Sequence, residues 1–150
     1  MNGRLINIIA LDHIVLRTSQ LAEMVHFYQD ILGCSIERQK PDIGLTQLRA
    51  GSALIDIVTV DSELGKLGGK APQQNGRNVD HFCLQVSAFD EQQLIDYLKQ
   101  HQLKLSDFAP RYGAQGYGRS VYVDDPEGNV VELKPYKENW AEQKQSDADS

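Results

Sequence analysis

Cysteine is scarce in this chain: Cys34 and Cys83 are the only two, too few for a scaffold stapled by disulfides. No apolar run approaches the roughly 20 residues of a membrane span. The N-terminus also lacks the layout of a signal peptide. Arg4 is followed by the short run Leu5–Leu11, which Asn7 interrupts, and Asp12 comes straight after. The cytoplasm is therefore the expected location, with no membrane partner. Basic residues are outnumbered, 15 Lys and Arg against 21 Asp and Glu, for a net charge of −6. With no clustered Lys/Arg stripe to meet phosphates, a nucleic-acid partner is disfavoured and none is expected. What remains is an ordinary soluble composition, 41% hydrophobic over 150 residues. That suits one compact domain, or two small modules sharing a core.

The chain does contain a repeat. Residues 11–19 read LDHIVLRTS and residues 79–87 read VDHFCLQVS. Asp12 and Asp80, His13 and His81, Leu16 and Leu84, and Ser19 and Ser87 match at one offset, 81 − 13 = 68. Ile14, Val15 and Leu16 are strand formers, and Ser19 is placed to cap a following helix. Two histidines at the same place in two copies of one unit can meet across a pseudo-two-fold axis.

The elements follow in the same order twice. After the strand 10–18, Leu21, Met24, Val25, Tyr28, Ile31 and Leu32 recur at helical spacing, and Gly33 follows as a stop. Residues 35–40, 46–49 and 53–60 read as strands, so 10–60 is a first βαβββ module. The glycine-rich stretch 61–78 reads as a linker, mobile or wrapped over the surface. The second module, 79–135, has a strand at 79–86 and a helix within 89–101. Further strands are expected at 102–109, 120–124 and 130–135. Tyr112–Arg119, with three glycines, reads as a flexible loop able to act as a lid, and Asp125-Pro126-Glu127-Gly128 as a type I turn. Residues 136–150 are polar and expected to be disordered. The predicted fold is α+β: two tandem βαβββ modules forming a cupped mixed sheet around a cavity, in one domain over 10–135.

Carrying the repeat to its ends pairs two carboxylates, Asp56 in Ile55-Asp56-Ile57 and Glu132 in Val131-Glu132-Leu133. Each stands where an apolar strand would have Val or Ile, and an ionised group buried there needs a partner. Two imidazoles and two carboxylates suit one divalent ion, Zn, Ni, Co, Mn or Fe(II), with positions left open to a small-molecule substrate. The two-residue strand period places Val15 and Arg17 beside His13, and Cys83 and Gln85 beside His81. Arg17 is the candidate anchor for an anionic substrate. Cys83, Gln85 and Tyr122 are further substrate contacts, although a small packing role suits Cys83 as well. The same period turns Asp12 and Asp80 away from the histidines, toward backbone or solvent. His26 and His101, on helices, are read as structural or exposed.

Together, LDHIVLRT, HFYQDILG, DHFCLQV and DDPEGNVVELK resemble the vicinal oxygen chelate superfamily over residues 10–135. That superfamily includes glyoxalase I, fosfomycin-resistance thiol transferases, extradiol dioxygenases and bleomycin-binding proteins. The resemblance implies one metal held by His13, Asp56, His81 and Glu132, and a homodimer. Among well-understood members the chain resembles glyoxalase I in size and ligand layout. By that likeness Glu132, with Asp56 as its opposite number, is the catalytic base. It would move a proton between adjacent carbons of a glutathione hemithioacetal, through an enediolate-type intermediate, with glutathione as co-substrate and Arg17 holding its carboxylate. Two departures matter. Asp56 stands where glyoxalase I has glutamate, which leaves a three-ligand site open. Val60 stands where glyoxalase I has a glutathione-contacting asparagine. The alternatives are a thiol transferase, a dioxygenase, or a metal-free binding protein using the same cup.

Overall fold

A computed structural model describes residues 5–149. Residues 1–4 of the expected lead-in and Ser150 of the expected tail lie outside the described residues. The chain divides between Asn78 and Val79 into two compact units, and each is a four-stranded mixed sheet with helices.

In unit one, β1 (His13–Thr18) leads into α1 (Leu21–Val25), which runs directly into a π-helical turn, His26–Ile31. Then come β2 (Ser35–Lys40), β3 (Leu45–Ala50) and β4 (Ala53–Thr59), in the sheet order β1-β4-β3-β2. Only β1 and β4 are parallel, because the helix supplies the crossover between β1 and the rest. The helix starts one residue later than the sequence suggested. Thr18 Oγ1 accepts the Gln20 N–H at 2.8 Å, and Gln20 takes the cap position in place of Ser19. The Leu32 N–H reaches back five residues to the Phe27 carbonyl, which widens the last turn. Gly33, at φ +89°, then ends it in the left-handed region. Leu16, Met24, Phe27, Tyr28, Leu48, Ile55 and Ile57 are each at most 2% exposed. At about 1.5–3 kcal/mol per buried side chain, they fix which face of the sheet the helix covers. The strand period therefore turns His13, Val15 and Arg17, with Asp56 and Val58, to the other face.

Unit two repeats the plan with β5 (His81–Val86), α2 (Glu91–Gln100), β6 (Ala109–Gly113), β7 (Gly116–Asp124) and β8 (Val130–Pro135), in the order β5-β8-β7-β6. Asp90 caps α2 by accepting the Gln93 N–H at 2.9 Å. Leu98, Val121, Val123 and Val131 are fully buried. The turn after β7 closes with the Gly128 N–H on the Asp125 carbonyl at 2.9 Å, as its sequence required. The α+β class and the doubled βαβββ order are thus as read from the sequence.

Three local expectations change. Residues 102–108 form no strand; only Leu105 bridges to Val123, and β6 begins at Ala109. The glycine-rich segment expected to be a flexible loop or lid is a β-hairpin, β6 to β7. Its glycines serve close packing: a Cβ on Gly113 would stand 2.8 Å from Lys134 Nζ, and one on Gly118 2.9 Å from Lys134 Cε. Lys134 runs beneath the hairpin and donates to the Gly116 carbonyl at 2.7 Å. Finally, residues expected to be disordered form a helix, α3 (Trp140–Asp149). Gln115, in the hairpin turn, sets its approach. It accepts the Lys137 N–H at 2.8 Å and donates to the Lys137 carbonyl at 3.1 Å.

The stretch 61–78 wraps onto unit one, and Arg17 is what holds it. Its guanidinium donates to the carbonyls of Gly65, Gly69 and Lys70. Its backbone exchanges two hydrogen bonds with the Asn78 side chain, at 3.0 and 2.9 Å. Asn78 thereby occupies polar groups that edge strand β1 would otherwise present. Arg17→Ala should release this wrap. Trypsin should then cleave after Lys66 and Lys70 about tenfold faster than in the parent chain; an unchanged digestion rate would contradict the assignment.

Candidate functional site

In unit one the register aligns a polar row across the exposed face. Val15 on β1 pairs with Asp56 on β4, Asp56 with Gln47 on β3, and Gln47 with Arg38 on β2. Asp56 is 4% exposed although it is a carboxylate. Gln47 Nε2 stands 3.2 Å from each of its oxygens, so the buried charge is hydrogen-bonded as it must be. His13 lies one residue pair along the same face. Its Nδ1 meets Asp12 Oδ2 at 2.7 Å. That bond, and then the charge of Asp56, raises the His13 pKa above its ordinary 6.5.

Unit two carries the same pair of donors. His81 Nδ1 meets Asp80 Oδ2 at 2.8 Å, and His81 Nε2 stands 3.5 Å from Glu132 Oε1. Ser120 donates to Glu132 Oε2 at 2.7 Å. The Tyr122 ring meets His81 edge-on, with centroids 5.4 Å apart, and carries the Arg111 guanidinium on its face at 4.1 Å. Tyr122, expected as a substrate contact, is thus beside His81 and opposite Glu132 in the register. Gln85 is exposed on the same face of β5. Cys83 pairs with Glu132 in the register. Desolvation, followed by the Glu132 charge, pushes its thiol up to about 11.

The repeated Asp-His pairs escaped the sequence reasoning. The two-residue period that would turn Asp12 and Asp80 away from the histidines holds only inside a strand. β1 begins at His13 and β5 at His81, so each aspartate precedes the pleat and folds back onto its neighbour. The signal was present in the faithful repeat of both residues. Arg17, expected to anchor a substrate, is committed to the backbone carbonyls of 65–70 instead. Gln47, Ser120 and Arg111 carried no motif and are found only through the fold.

Imidazole and carboxylate are side chains of the kind that suit a divalent metal. Each histidine has Nδ1 taken by a carboxylate, which orients the ring and leaves Nε2 as the available nitrogen. Two donors on one ion, with bonds of about 2.1 Å, lie about 3–3.5 Å apart, and His81 Nε2 and Glu132 Oε1 stand at 3.5 Å. Within either unit, among the described residues, His, Cys, Asp and Glu form no group of three or more able to hold an ion; each unit offers one imidazole and one carboxylate.

With its pKa near 11, Cys83 stays a protonated thiol at pH 8 although it is exposed. Iodoacetamide should modify it roughly tenfold more slowly than a simple exposed thiol. Modification at the rate of a free thiol, followed by mass spectrometry, would contradict this.

A profile of the Glyoxalase/Bleomycin resistance protein/Dioxygenase superfamily matches residues 10–133. Biphenyl-2,3-diol 1,2-dioxygenase 3 of Rhodococcus globerulus is 31% identical over 132 residues, which cover 83% of this chain and 62% of that protein; the chain thus spans about three fifths of that relative's length. A virulence protein of Salmonella typhimurium is 26% identical over 84% of this chain and 83% of its own length. Its crystal structure superposes with a TM-score of 0.72 at 22% identity, over 88% of this chain and all of that one. The fosfomycin resistance protein FosX of Listeria monocytogenes superposes at 0.67 with 20% identity, over 92% and 99%. The match over nearly the whole folded chain, on a doubled βαβββ plan, makes this protein a member of the Glyoxalase/Bleomycin resistance protein/Dioxygenase superfamily.

Proposed function

We propose that the protein is a metal-dependent enzyme acting on a small substrate that chelates the metal through oxygen, with His13, Asp56, His81 and Glu132 as the donors. The observation that carries this reading is the duplicated unit of an aspartate-oriented histidine on the same sheet face as a buried carboxylate. A bound divalent ion would polarise the substrate's oxygens and acidify the adjacent carbon. Glu132 is the base that holds and moves that proton. It is 6% exposed, one of its oxygens is held by Ser120, and the other faces the site. The reaction class is therefore proton transfer of the lyase or isomerase kind.

Glutathione is not favoured as the carrier of this substrate. Arg17 is occupied by backbone carbonyls, and Val60 offers no hydrogen-bonding side chain. A second reading, ring-opening oxygenation of a catechol, is favoured by the 31% identity to the dioxygenase. We also propose a homodimer. Leu5, Ile6, Ile8, Ile9 and Leu11 are 77–98% exposed, an apolar run of the kind that a partner covers.

His13→Ala, His81→Ala and Glu132→Ala should each weaken divalent-metal binding more than about 100-fold, beyond the range for an orienting partner. Equilibrium dialysis with metal analysis reads this, and unchanged stoichiometry in all three would contradict the donor assignment. Reconstituted protein should turn over a hemithioacetal or another α-hydroxycarbonyl more readily than fosfomycin; turnover of catechols alone would select the oxygenase.

Metal binding requires neutral His13. Because Asp12 and Asp56 raise its pKa, metal affinity should begin to fall, as pH is lowered, at a higher pH than an ordinary imidazole dictates. Asp12→Asn removes the largest cause and should move that onset to lower pH. An onset unmoved by the substitution would contradict the electrostatic account.

A further inference from the structure

A carboxylate that acts as a metal donor or a base must present a chosen oxygen, and an isolated side chain turns freely about its last bond. In unit two the choice is made from two strands away. Arg111 on β6 donates through Nη1 to the Ser120 hydroxyl on β7 at 3.1 Å, and also to the Ser120 carbonyl. A hydroxyl has one proton to give. With Arg111 filling an acceptor position on Ser120, that proton goes to Glu132 Oε2 at 2.7 Å. Arg111 is fixed in turn by lying on the Tyr122 ring at 4.1 Å. Ser120 is fully buried, so water does not compete for its hydroxyl. Oε2 is therefore taken, and Oε1 is the oxygen left toward His81 Nε2.

Unit one has the same order of groups on the corresponding strands, with different chemistry. Arg38 on edge strand β2 donates through Nε to Gln47 Oε1 at 2.9 Å. This decides which end of the amide faces which neighbour, so Nε2 is turned to Asp56 on β4 and straddles its two oxygens. Both units thus run from an arginine on the edge strand, through a neutral polar side chain on the next, to the carboxylate on an interior strand. The middle group is an amide in one copy and a hydroxyl in the other.

We propose that Arg38–Gln47 and Arg111–Ser120 are positioning relays: Arg111 and Ser120 make Glu132 a one-oxygen donor through Oε1, while Arg38 and Gln47 hold both oxygens of Asp56 equivalently. The proposal rests on reading the two carboxylates as metal donors. It gives the two copies unequal roles, with Glu132 presenting the single oxygen Oε1 and Asp56 held by both of its oxygens.

The test uses Co(II) alone as the probe, titrated into the full chain and followed by its visible absorption bands and by competition for affinity. Ser120→Ala should bind Co(II) about 10–100-fold more weakly, the range for losing an orienting partner, and with shifted bands. Ser120→Thr keeps the hydroxyl and should return both affinity and bands to within about threefold of the parent. Arg111→Met, which leaves Ser120 in place, should shift the bands in the same direction as Ser120→Ala and so carries the test if the alanine variant fails to fold. Parent-like affinity and bands in Ser120→Ala or Arg111→Met overturn the relay while leaving the metal reading intact. Co(II) uptake that is unchanged by His81→Ala and Glu132→Ala overturns the metal reading and the relay with it.

Discussion

The structure is constrained first by two carboxylates placed where a sheet would otherwise put Val or Ile. Asp56 and Glu132 sit on interior strands β4 and β8, nearly buried, between residues that belong to the apolar core. An ionised group in such a place is unfavourable by several kcal/mol unless it is hydrogen-bonded and paired. Each unit meets that demand in the plane of its own sheet: the neighbouring strand supplies a hydrogen-bond donor, and in unit two His81 stands 3.5 Å from Glu132 on the other side. No buried side-chain nitrogen or oxygen among the described residues lacks a partner. The helices enter only through the opposite face, where they fix the strand parity that turns both carboxylates away from the core.

The doubling of the fold was legible in the sequence because it is carried by strand parity and by one repeated dipeptide. An offset of 68 residues in His13 and His81 located two equivalent strands, and Asp56 and Glu132 followed from the ends of the same units. The apolar spacing of 21–32 located the helix, although the wide π-turn in it leaves no sequence mark. Long-range hydrogen bonding was not legible. Arg17 looked like a free cation on the face of His13, yet its guanidinium meets residues some 50 positions later in the chain. The glycines at 113 and 118 looked like flexibility, and in fact they make room for Lys134. Asp12 and Asp80 were set aside by a rule that fails at a strand's first residue.

These corrections sharpen the chemistry. Under the proposed function, with Arg17 engaged and Cys83 a protonated thiol, the reacting groups are two imidazoles and two carboxylates. This is a set of nitrogen and oxygen donors with one basic oxygen, suited to divalent metals that bind oxygen-rich small molecules. It provides no thiolate nucleophile. The superfamily joins glyoxalases, bleomycin resistance proteins and dioxygenases, and what marks this chain is how each carboxylate is held. Asp56 is clamped across both oxygens and Glu132 by one, an asymmetry inside an otherwise repeated plan.

Under the proposed function, His13 and His81 both give nitrogen to a single metal. X-ray absorption at the metal edge of the loaded protein tests it most directly, because back-scattering from imidazole rings can be counted. Two imidazoles per metal are expected, with the remaining donors oxygen. A spectrum showing one imidazole or none, or a sulfur donor from Cys83, would contradict it.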